Sequence, residues 1–167
     1  MPSLYYASVT LHLLAALLWL GGMFFLAVVG APVLRAVEPP ELRGMLFRRL
    51  GERFRVVGWG AIAVLLVTGA ANLHYRGLLS ADLWTSSDFW RGRVGQALGW
   101  KLGAVLAMLL ISATHDFLTG PAAGRLTPGS PGALAARRRA SGLARINALV
   151  GLVVVVAAVR LARGGLG

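Results

Sequence analysis

His12, His74, His115, Lys101 and Arg160 stand within or at the margins of long apolar runs, where an ionisable side chain is costly unless it has a partner or a task. His12 is the sharpest of them. One helical turn away on either side lie Ser8, Val9, Ala15 and Ala16, mostly small residues that leave room for something broad and flat against a helix. His74 has Ala70, Ala71 and Gly77 in the same positions. A neutral imidazole among small residues, one per helix, is what axial ligation of haem iron in a helical bundle requires. Arg160, Lys101 and Arg76 are then placed to meet the haem carboxylates. The plainer readings are an interhelical hydrogen bond for His12, an interfacial position for His74 beside Tyr75, and snorkelling of Lys101 to the surface.

Other chemistries lack their residues. Cysteine is absent, which excludes disulfides, thiolate metal sites and Cys nucleophiles. No phosphate-binding loop, nucleotide-binding glycine fingerprint or close carboxylate pair is present. The spans carry no acidic residue away from their ends, and Met23 and Met108 are their only methionines, a poor supply for a thioether copper path.

The elements that must position these residues follow from composition. The chain has 167 residues, of which 57% are hydrophobic and 14% charged, too little polar surface to cover a water-soluble globule. Four apolar runs, about 4–31, 56–75, 98–118 and 146–162, are each long enough to cross a hydrocarbon core of roughly 30 Å. The expected fold is an all-α membrane protein, a single four-transmembrane-helix bundle. The first run should stop at Pro32 and the third at Gly120-Pro121. Arg43 to Arg55 reads as a helical extension at the membrane surface, and the Gly/Pro/Ser-rich stretch from Thr119 to Gly132 as the most mobile linker. Met1 to Thr10 has no Lys or Arg before the apolar run, unlike a cleaved signal peptide.

The formal charge of +11 resides in the segments between and beside the spans, which favours a membrane surface over nucleic acid. The first and third loops hold most of the arginines, so both termini should face away from the cytoplasm. The polar residues then sort into two layers: His12, His74, Lys101 and Arg160 in the outer half, and His115, Asp116, Arg145 and Asn147 in the inner. Lys101 and His115 lie about 21 Å apart along one helix, so one small site cannot hold both. They share a face with Met108 and Ser112, which should look inward. Gly95, Gly99 and Gly103 form a separate packing stripe, and Trp84, Trp90 and Trp100 an outer interfacial belt.

Short motifs carry a family likeness over nearly the whole chain. The segment LHLLAALLWLGGMFF, with His12, Trp19, Gly22 and Phe25, resembles the opening helix of two related groups: the CopD (copper resistance) proteins and the HemJ-type protoporphyrinogen oxidases. The segment VTGAANLHYRG resembles the second helix of both, its Thr68-Gly69 closer to CopD, and Lys101 opens the third span as in both. ARINALVG, with Arg145 and Asn147, is similar to the entry to the last HemJ helix. Ala148, however, stands where HemJ has an acidic residue, and His115 lies one turn beyond the expected histidine. The HemJ likeness implies roles in haem binding for His12 and Lys101; the departures make CopD-like the better description. The resulting expectation is a homo-oligomeric haem b protein in a cell membrane, liganded by His12 with His74 or Lys101, that transfers electrons or oxidises a quinol or porphyrinogen and has no nucleic-acid partner. Copper handling, with His12, His74 and His115 as transient ligands, is the alternative, and a cofactor-free assembly subunit a third. His115 with an inner-layer partner allows a second site.

Overall fold

The computed structural model describes residues 2–120 and 130–163. Every regular element among them is helical, and four helices are long and apolar enough to cross a membrane: Ser3–Arg35, Pro40–Tyr75, Arg93–Thr119 and Arg138–Ala162. Their outer faces are bare hydrocarbon, with Leu17 69%, Val56 72% and Val67 71% exposed, which only lipid can accommodate. The chain divides into two compact units, Met1–Ala81 and Asp82–Gly167.

In the first unit, α1 (Pro2–Phe25) passes through a π turn (Leu26–Gly30) into α2 (Ala31–Arg35). The rod therefore continues past Pro32, where the sequence predicts its end. The Ala31 N–H reaches back five residues to the Leu26 carbonyl, and this widened turn lets Pro32 fall at the start of α2. There its missing N–H breaks no intrahelical bond.

Pro39 and Pro40 then open α3 (Pro40–Tyr75), an unbroken helix of 36 residues. At about 54 Å it is far longer than the apolar layer is thick, and the Arg43–Arg55 segment, expected as a surface extension, is continuous helix with the apolar part. Glu41 complements the positive end of the helix, and Arg43 pairs with Glu38 at 3.3 Å.

Gly77 terminates α3. Its φ of +68° is left-handed, and the Gly77 N–H to His74 carbonyl (2.9 Å) and Leu78 N–H to Leu73 carbonyl (2.9 Å) bonds close a Schellman cap. Gly77→Ala should cost about 1–2 kcal/mol through the left-handed penalty on a Cβ. Thermal unfolding of the purified variant in detergent would reveal it.

The two long helices of this unit run antiparallel. Residues 5, 8, 12, 15, 19 and 22 of α1, spaced alternately three and four, meet α3: Tyr5 stacks edge-on against Tyr75 (5.8 Å), Trp19 lies over Gly58, and Phe54 fills the space a Gly22 side chain would need. Such a seam is that of a left-handed coiled coil, in which small residues let backbones approach.

The second unit begins with two short helices, α4 (Ala81–Thr85) and α5 (Ser87–Arg91). Ser86 caps α5 by accepting the Phe89 N–H, and the Trp90 indole donates to the Trp84 carbonyl at 2.9 Å. Trp84 and Trp90 of the predicted belt thus form a folded cap at the start of α6 (Arg93–Ala113), whereas Trp100 stands exposed on α6 itself. Gly95 presses against the α5 backbone and Gly99 against the Trp90 ring, whereas Gly103 meets nothing within 4 Å. Two glycines of the predicted packing stripe therefore seat this cap.

A second π turn, Thr114–Thr119, continues α6. The last helix, α7 (Pro131–Ala162), starts 15 residues before the predicted span at 146. Hydropathy locates the lipid-crossing part; the preceding Ala, Leu and Arg residues are strong helix formers and extend it, so the basic run around Arg138 and Arg139 is helix rather than loop. Residues 121–129 of the predicted linker lie outside the described residues. Leu98 (1% exposed), Met108, Ala157 and Leu161 form the core of this pair.

Candidate functional site

His12 is half-buried on the seam between α1 and α3. Its Nδ1 lies 2.8 Å from the Thr68 hydroxyl, and its Cε1 packs against Gly69, 3.4 Å from where a Cβ would stand. Proton bookkeeping fixes the imidazole. Thr68 Oγ1 is 2.6 Å from the Val64 carbonyl oxygen, a separation that places the hydroxyl proton between those two oxygens. Thr68 therefore accepts from His12, whose Nδ1 carries the proton and whose Nε2 carries the lone pair. This is the second-shell arrangement that readies Nε2 for a metal.

The helix register explains why these residues meet. Ser8 and His12 are four apart on α1, as Thr68 and Asn72 are on α3, and antiparallel packing sets the two pairs against each other. Ser8 Oγ donates to the Thr68 carbonyl at 3.4 Å. Thr68 is 5% exposed, and the Asn72 carboxamide oxygen is buried and accepts no hydrogen bond. Ser8, Thr68 and Asn72 were not singled out from the sequence as site residues, although each sits one turn from another polar residue on a seam position. The small residues around His12 belong to that same seam: Ala15 is 6% exposed, and α3 closes the Nδ1–Cε1 edge of the ring.

His74 is exposed near the end of α3, its ring edge-on to Tyr75 at 5.9 Å. In the second unit, Lys101 is half-buried on α6, and Arg160 is exposed in the last turn of α7, where it complements the helix carbonyls. His115 sits in the π turn with Nδ1 2.9 Å from the Asp116 carboxylate. On the face shared by Lys101 and His115, Met108 (3% exposed) and Ser112 (7%) are buried, and Asn147 Nδ2 donates to Ser112 Oγ at 2.9 Å across the helix pair. That face does look inward. Ser112→Ala removes this acceptor and should lower thermal stability by about 1 kcal/mol, a typical value for an interhelical bond in lipid.

Among the described residues no group of three or more His, Asp or Glu side chains converges as a metal cage. What the fold and site define is an all-α, multi-pass membrane protein with one oriented histidine on a helix seam.

The chain belongs to the CopD family: the family profile described as "Copper resistance protein D" matches residues 48–161. An uncharacterised protein of Aquifex aeolicus (strain VF5) is 31% identical over 111 residues, a match covering 66% of this chain and 66% of that protein. No solved structure matches the chain. The family match takes in α3 from Arg48 onward, Lys101, His115 and Arg160, while His12 lies before it.

Proposed function

We propose that this protein handles copper in the membrane, with His12 Nε2 as the metal-binding atom. The observation that carries this reading is the Val64–Thr68–His12 hydrogen-bond chain, which holds the imidazole in the ligating tautomer. Family membership supports copper as the metal. The buried Asn72 oxygen, one turn beyond Thr68 on the same face, supplies an acceptor suited to a cation. An ion in passage needs a site it can leave, so one imidazole with oxygen donors suits cargo better than a closed cage would. The basic segments that follow the first span and precede the fourth support an orientation with both termini on the outer side, which would put this site in the outer half of the bilayer.

Copper titration of the purified protein, with copper uptake by vesicles containing it, tests this reading. About one copper per chain and uptake above empty vesicles are expected; neither binding nor uptake would refute it.

Haem b is the second reading. Porphyrin supplies four donors to its iron, so the single oriented Nε2 of His12 is enough for axial ligation. A quinol or porphyrinogen would be the lipid-soluble substrate. Purified protein with a Soret band, stoichiometric iron and no copper uptake would replace the copper reading with this one.

A further inference from the structure

Where α6 begins and α7 ends, the second unit carries a groove of about 370 Å³ between the two helices, lined by Arg93, Gln96, Trp100, Val153, Val156 and Arg160 among others. Arg93 and Arg160 both line it, and among the described residues no carboxylate does. The register explains the convergence. Ser112 bonds to Asn147 across the antiparallel pair, which brings Arg160 level with Gly99, about 9 Å deeper along α6 than Arg93.

Below the two charges the wall turns apolar and faces outward: Trp100 is 70% exposed, Val156 55% and Val153 47%. Both arginines are exposed, and an anion between them would offset the repulsion of two like charges that share one groove. Planar guanidinium forks match the geometry of a phosphodiester. An amphiphile with an anionic head and an acyl chain satisfies both parts of the groove.

We propose that this groove is a selective site for an anionic phospholipid, its phosphodiester held by Arg93 and Arg160 and its acyl chain lying along Trp100, Val153 and Val156. A zwitterionic lipid brings the same phosphate together with a cationic headgroup that the two arginines repel. The plainer account, in which Arg160 only snorkels and balances the α7 carbonyls, predicts no such selectivity.

The test is lipid binding to the full-length protein in detergent, followed by native mass spectrometry and by thermal shift with phosphatidylglycerol or phosphatidylcholine. Phosphatidylglycerol should bind at least about tenfold more tightly, and Arg93→Gln with Arg160→Gln together should remove that preference. Arg48→Gln, on the α3 extension, should retain it. If the double variant does not purify, Arg160→Gln alone, which removes one of the two charges, should still lower the preference. Equal binding of the two lipids would overturn the proposal. So would an undiminished preference in the double variant or in Arg160→Gln, or an arginine-dependent shift given by a dicarboxylate porphyrin but not by phosphatidylglycerol.

Discussion

Thr68→Val is expected to weaken copper binding about 10–100-fold, the usual effect of removing the partner that orients a ligating histidine. Valine keeps the β-branched shape of threonine, so the α1–α3 seam should stay packed and the protein should fold. What disappears is the acceptor for the His12 Nδ1 proton. The imidazole can then rotate or hold its proton on Nε2, the nitrogen that must ligate. His12→Ala removes the ligand itself and should abolish stoichiometric binding, whereas Thr68→Ser, which keeps the hydroxyl, should bind nearly as the parent does. Copper titration of the three variants supplies the ranking. Parent-like binding in Thr68→Val would mean that the hydrogen bond serves only to hold the helices together.

Gly95→Ala should be the most damaging single-methyl change in the second unit, at about 1–3 kcal/mol. A Cβ at this position would collide with the Phe89 carbonyl and the Trp90 Cα. Both are backbone atoms of the capped α5 turn, so no rotamer change relieves the clash. Gly103→Ala, where the added methyl meets nothing within 4 Å, is the matched control and should be close to neutral. Thermal unfolding of the two variants in the same detergent gives the comparison. Equal losses would show that the seating of α5 on α6 contributes little to stability.

The likeness among Gly95, Gly99 and Gly103 in the sequence conceals this difference. Their four-residue spacing marks a smooth helix face, but only the path of α5 decides which of them has backbone against it. Pro32 gives a similar lesson. Proline is a helix breaker by local rule, yet one widened turn upstream absorbs it and the rod runs on to Arg35. Whether a helix takes a π turn depends on bonds between residues five apart, to which hydropathy and spacing are blind.

The candidate site divides in the same way. His12 was legible because an ionisable group in an apolar run stands out by cost alone. Ser8, Thr68 and Asn72 were not, because serine, threonine and asparagine are tolerated in lipid-crossing helices and become conspicuous only when two helices set them against one another.

By itself, then, the sequence determined that the chain is all-α, that four segments can cross a membrane, and where the charged residues fall relative to them, since each follows from the transfer of side chains between water and lipid. The tertiary structure alone decided which partner His12 has, and through it which ring nitrogen carries the lone pair. It also brought Arg93 and Arg160 to one groove from positions 67 residues apart in the chain. The physical reason is that hydropathy is a property of single residues, whereas a tautomer or a pair of converging charges is set by the register of two helices.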